Sequence, residues 1–250
     1  MIFGEKDNKF LVEIHLNADD VNYKGELTLK KLMLLFQKVA LVHYTTKAEN
    51  FGEVMKNGKA WVLTKIEIQI DRIPMITEDI IISTWSRGAD GHKGLREFIV
   101  TTKEGTPLIH AQTQWAYLNF KEKKLAQFDA SLFPRFKTCD ETHFKEDIAR
   151  WRLNDKHNTI KAKQFQLRQT DFDINRHLNN TTYFELLEDY LMDENIIAKS
   201  IYAAYAKEVP MDCKELSLYC NKNENESAKE IDFHLENEGI KSFMAKIKRQ

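Results

Sequence analysis

The feature that most constrains this chain is a repeated order of elements. Residues 10–16 alternate apolar and polar side chains, the period-two mark of a strand with one buried face. Residues 28–44 then set Leu29, Leu32, Met33, Phe36, Val39 and Ala40 at helical spacing. Four extended segments follow, at 61–73, 79–87, 94–103 and 107–120, rich in β-branched and aromatic residues and parted by Gly, Asp or Pro. The same programme then runs again: a strand at 163–169, a helix at 180–193, and strands near 200–209, 214–221, 229–236 and 241–249. The best internal match sets IEIQIDRIPMITEDIIIST (66–84) against YAAYAKEVPMDCKELSLYC (202–220). These copies lie about 136 positions apart and the helices about 153, which predicts a longer loop in the first copy around KAENFGEVMKNGKA.

Strand, long helix and four strands, given twice, is an α+β pattern: one antiparallel sheet wrapping one helix, repeated. Two such sheets joined edge to edge satisfy each other's open edges. The units fall at 1–120 and 163–250, with a linker at 121–162 rich in Lys, Asp and Glu; its piece THFKEDIARWRLND (142–155) predicts a short helix. At 250 residues and 42% hydrophobic content the chain can bury one large core or two small ones. A net charge of −1 offers no basic excess for nucleic acid. Three cysteines (Cys139, Cys213, Cys220) without a CxxC pair argue against a disulfide framework and a metal site. RGADGHKG (87–94) reads as a hairpin turn, not a phosphate loop, and no nucleotide fingerprint or other cofactor motif is present. MIFGEKDNKF does not read as a secretory signal, and no apolar run approaches the roughly 18 residues that span a bilayer. These features predict a cytoplasmic protein that neither inserts into membranes nor binds nucleic acid; a homo-oligomeric state stays open.

The chemistry concentrates in TDFDINRHLNNTTYFELLEDYL (170–191), where Asp171, Asp173, Asn175, His177, Asn179 and Asn180 precede a helix. Short polar residues suit the turn entering a helix. Residues 173, 175 and 177 alternate, so an extended turn puts an acid, an amide and an imidazole on one side. Together they offer a base, an orienting group and an amide dipole.

FDINRHLNNTTYFELLE resembles the hallmark of the acyl-ACP thioesterase family of plants and bacteria, D-x-N-x-H-x-N-N-x-x-Y followed by a helix ending near Leu-Glu. Asp173, Asn175, His177, Asn179, Asn180 and Tyr183 meet it, with Leu187 and Glu188 at the helix end. DVNYKGELTLKKLMLLFQKVALVHY (20–44) and WVLTKIEIQIDRIP (61–74) extend the resemblance over nearly the whole chain. It implies two tandem hotdog folds and the hydrolysis of fatty acyl thioesters of acyl carrier protein to free acid and carrier thiol. The family's catalytic Asp, Asn and His fall on Asp173, Asn175 and His177. The Glu-Cys pair of plant members, in a Tyr-x-x-Glu-Cys context, falls on Glu208 and Val209, after Tyr205. A cysteine nucleophile is thereby excluded at that position and a water-based mechanism is expected.

Glu208 or Asp173 is the expected general base, with His177 orienting the water. Asn175 and N–H groups near the helix start are expected at the substrate carbonyl or the water, and Asn179 at the substrate. The equivalent entrance of the first copy, residues 20–25, keeps Asp20 and Asn22 but has no His. Its more apolar helix predicts that the first half houses the acyl tunnel, lined by Leu32, Met33 and Phe36. The competing readings are an acyl-CoA thioesterase, a hotdog dehydratase using the same His and acid, and a non-catalytic acyl-thioester binding protein.

Overall fold

The computed structural model describes residues 2–47, 56, 58–133, 135–148, 159–221 and 230–250. The first copy comprises β1 (Ile2–Lys6), β2 (Lys9–His15), α1 (Leu29–Lys47), β3 (Lys59–Ile70), β4 (Asp79–Asp90), β5 (Lys93–Thr102) and β6 (Pro107–Asn119). A short β7 (Lys124–Leu125) pairs with β6. The second copy comprises β8 (Ile160–Gln166), α2 (Asn180–Asp193), β9 (Ala198–Tyr205), β10 (Glu215–Cys220), β11 (Glu230–Asn237) and β12 (Ile240–Arg249). All strands join one sheet in the order β1-β2-β4-β5-β6-β3-β9-β12-β11-β10-β8, with β7 beside β6. Inward from β2 the order is β4, β5, β6 and then β3; inward from β8 it is β10, β11, β12 and then β9, so β3 and β9 lie at the centre and β1 adds to the first outer edge. There β3 and β9 pair antiparallel, with Ile66 opposite Ala203 and Ile68 opposite Ile201. The edge-to-edge union of two α+β units is therefore present.

Each helix packs its apolar stripe onto the sheet. Leu32, Met33, Phe36 and Val39 of α1 are buried, as are Tyr183, Phe184, Leu187 and Tyr190 of α2. Phe36 stacks on Phe98 of β5 at 4.4 Å, and Phe184 meets Phe243 of β12 edge-on at 5.5 Å. The two stripes match position for position, pairing Leu32 with Tyr183, Met33 with Phe184, Phe36 with Leu187 and Gln37 with Glu188. The turns that enter the helices match as well. Val21 bridges Leu27 as Phe172 bridges Leu178, and Asn22 N–H donates to Glu26 O as Asp173 N–H donates to His177 O. This register slides the sequence-only comparison by two residues: Asp20 corresponds to Asp171, and Asn22 to Asp173. Asp20 and Asp171 are both buried beneath a cation, Lys31 and Arg168 respectively.

Alternation of apolar and polar residues does not mark the hairpin β1–β2. Its signal is Asp7-Asn8, both at positive φ (52° and 61°), a pair suited to a tight hairpin turn. The 87–94 hairpin turn is borne out, β4 and β5 pairing out to Asp90 and Lys93. Most of the long loop around 47–60 lies outside the described residues. So does half of the helix expected at 142–155; residues 142–148 are described and hold no α-helix.

Candidate active site

The turn 172–178 is shaped by Asp173. Its Oδ1 accepts from Asn175 N–H (2.8 Å) and His177 N–H (3.2 Å), and its Oδ2 lies 3.5 Å from Asn175 Nδ2. Arg176 takes a positive φ of 63° to close the turn, where the first copy has Gly25 at 79°. His177 bridges Pro210, which brings the end of β9 and the residues after it beside the turn. Glu208 Oε2 thereby lies 3.3 Å from His177 Nδ1, with the imidazole 38% and the carboxylate 60% exposed. The four residues singled out as catalytic are thus brought together.

All four line a single cavity of about 1040 Å³. Its second-half wall also holds Asn180, Tyr183 and Tyr205. Its first-half wall holds Ala40, Leu41 and Tyr44 of α1, Trp61 and Leu63 of β3, and Arg96 of β5. Phe128, Phe133 and Phe136, from the segment read as a linker, close it. Gly94 admits the Trp61 ring: a Cβ there would lie 3.0 Å from it. Chemistry from one half and an aromatic, aliphatic chamber from the other therefore face the same space.

Three of the residues singled out for the acyl chain do not line this cavity. Leu32, Met33 and Phe36 are 1%, 1% and 2% exposed and belong to the core between α1 and the sheet. One turn further along α1 the helix face rotates, and Ala40, Leu41 and Tyr44 meet the cavity instead. Asn179 is likewise outside the lining. It is the N-cap of α2, its Oδ1 accepting from Thr181 N–H (3.0 Å) and Thr181 Oγ1 (2.9 Å).

A buried cation sits in the wall. Arg96 Nη1 donates to Thr84 Oγ1 and to His43 Nδ1, each at 3.1 Å, and its guanidinium lies over Phe136. Burial, then the Arg96 and Lys47 charges, hold the His43 imidazole down to about 3, so it is neutral and accepts from Arg96. Burial lowers Arg96 itself to about 10, still charged near neutrality. A lone arginine in a strand carries no sequence signal of this kind, and neither does the aromatic set from 128–136.

Among the described residues no cysteine lines the cavity, and no cluster of His, Cys, Asp and Glu could hold a metal ion. Val209, at the position of the plant cysteine, is buried, and its carbonyl accepts from Leu178 N–H.

Two helix-wrapping sheet halves joined at their central strands, with the polar turn 172–178 opening on a cavity they share, define a tandem hotdog protein. The chain belongs to the acyl-ACP thioesterase family: residues 7–133 match its N-terminal domain and residues 154–250 its C-terminal domain. A chloroplastic acyl-[acyl-carrier-protein] hydrolase of Cuphea viscosissima is 26% identical over 197 residues, 74% of this chain and 47% of that protein. A chloroplastic palmitoyl-acyl carrier protein thioesterase of Gossypium hirsutum is 26% identical over 186 residues, covering 70% and 45%. The chain thus spans about half the length of the curated relatives it matches. In fold, an acyl-ACP thioesterase of Bacteroides thetaiotaomicron superposes with a TM-score of 0.84 at 20% identity, covering 98% of both chains. The 12:0-ACP thioesterase of Umbellularia californica gives 0.78 at 17% identity, covering 99% of both.

Proposed function

We propose that this chain hydrolyses fatty acyl thioesters of acyl carrier protein, by direct attack of water and without a cofactor. The observation that carries the reading is the single cavity that joins the His177–Glu208 pair to an apolar chamber in the other half.

A thioester needs little acid help at its leaving group, because a thiolate departs readily; delivery of water and stabilisation of the oxyanion dominate the barrier. The Glu208 carboxylate, 3.3 Å from Nδ1, favours the tautomer with its proton on that nitrogen, which leaves Nε2 of His177 to take a proton from water. The hydroxide so formed adds to the carbonyl carbon, the tetrahedral oxyanion collapses, and the thiolate leaves and takes up the proton. Oδ1 of Asp173 already accepts two backbone N–H groups of the turn, so the role assigned to it is to orient Asn175 and His177. Asn175 and the Asn180 N–H, at the positive end of α2, belong to residues that line the cavity and are the donors we assign to the reacting carbonyl. The acyl chain lies toward Ala40, Tyr44 and Trp61.

Lys59 and Lys207 at the cavity rim suit an acidic carrier. A cytoplasmic setting is supported by three free thiols. No helix among the described residues is long and apolar enough to cross a membrane.

The test is thiol release from acyl-ACP by His177→Ala and Glu208→Gln. His177→Ala should abolish nearly all turnover, and Glu208→Gln should lower kcat at least about tenfold, within the usual reach of acid–base catalysis. A folded His177→Ala variant that turns over like wild type rules this site out.

A further inference from the structure

The two halves differ at one place where their symmetry makes the difference informative. In the first half the position equivalent to the active site is filled by the protein itself. Glu188 of α2 reaches across to the start of α1, and its Oε2 accepts from Leu29 N–H at 2.8 Å. Its neighbours there include Asn22 and Glu26, the counterparts of Asp173 and His177. A carboxylate oxygen thus stands at the N-terminus of α1, where amide groups and the helix dipole favour negative charge.

The repeat maps Glu188 onto Gln37 of α1, and Leu29 onto Asn180 of α2. Gln37 and Asn180 both line the catalytic cavity, together with Asp173 and His177. Gln37 is half-buried and, among the described residues, no hydrogen bond joins its carboxamide to the start of α2. The side chain that would plug this half with an anion is here neutral and carries an N–H₂ donor.

From this pairing we infer that Gln37 is a catalytic residue: its Nε2–H₂ and the Asn180 N–H together hold the thioester carbonyl oxygen as it becomes an oxyanion. The oxygen of Glu188 in the first half marks the place that the substrate oxygen takes in the second. The Glu-to-Gln difference between the helices is what leaves the active half open. This rests on the hydrolase reading above.

The decisive variant is Gln37→Glu, which copies the first half into the second. A carboxylate there should occupy the α2 N-terminus and repel the developing oxyanion. At pH 8 kcat should fall about 100-fold or more, the scale of losing an oxyanion donor. Protonation of the introduced acid removes its charge and gives it an O–H donor. The variant-to-wild-type rate ratio should therefore climb as pH falls. Gln37→Ala should lower kcat at least about tenfold with KM little changed and the melting temperature retained, its ratio to wild type flat with pH. A Gln37→Glu enzyme with wild-type rate, or with a pH-independent ratio, overturns the assignment, as does a fully active Gln37→Ala. Wild-type protein that releases no thiol from any acyl-ACP overturns the hydrolase reading itself, and this inference with it.

Discussion

At the scale of single residues, Asp173 and Glu188 show how environment decides role. Asp173 looks like a base in sequence, yet its Oδ1 accepts two backbone N–H groups from its own turn. A carboxylate so engaged stabilises a conformation, and removing it costs orientation as well as charge. Asp173→Ala should therefore lose activity about as severely as His177→Ala but also lower the melting temperature, whereas His177→Ala should leave it nearly unchanged. Equal melting temperatures for the two variants would return Asp173 to a purely chemical role. Glu188 was legible only as the end of a motif. Burial lifts its carboxyl from an ordinary 4.5 to about 7. Between those values the folded chain holds a proton that the unfolded chain has released, so stability falls as pH rises across that window. Glu188→Gln removes that dependence and keeps an acceptor for Leu29 N–H. Its melting temperature relative to wild type should rise from pH 5 to pH 8, with kcat unchanged; a gap that is flat or narrows contradicts the assignment.

At the scale of elements, α1 carries two jobs on adjacent faces. Periodicity identified its buried stripe correctly but could not say which part of the helix meets sheet and which meets cavity. That depends on where β3, β5 and the 128–136 aromatics end up, and those contacts are long-range. Leu32 and Met33 are core, so Leu32→Ala should cost about 2–5 kcal/mol of stability without moving the chain-length profile. Ala40→Leu, on the cavity face, should shift the preference toward shorter acyl chains. A profile moved by Leu32→Ala and untouched by Ala40→Leu would restore the stripe as the tunnel wall. The turn proposed as catalytic, by contrast, was readable because its chemistry is local: Asp173, Asn175 and His177 sit within five residues, and the N-cap Asn179 comes just after. Only Glu208 arrives from a distant segment, the stretch that follows β9, and only the resemblance marked it. The linker reading stopped at composition, which cannot show that Phe128, Phe133 and Phe136 fold back to close the chamber.

At the scale of the whole molecule, duplication was the most legible feature because strand and helix periods are local and their order is countable. The join at β3 and β9 follows from the need to pair two open edges. Once the copies are joined, one helix entrance can be structural while the other carries the proposed chemistry, and the half whose entrance has no histidine supplies most of the chamber wall. That division suits the proposed substrate, an acyl chain held on a protein carrier and reacting where the two halves meet. The most direct test is the time course of free thiol from matched acyl-ACP and acyl-CoA substrates, at low and moderate salt, with wild type and His177→Ala side by side. Wild type should act with higher kcat/KM on acyl-ACP, declining as salt screens the rim lysines over a Debye length of about 8 Å at physiological strength, and His177→Ala should be nearly silent. Equal efficiency on both carriers would replace the protein carrier with coenzyme A, and absence of thiol from either would contradict hydrolysis altogether.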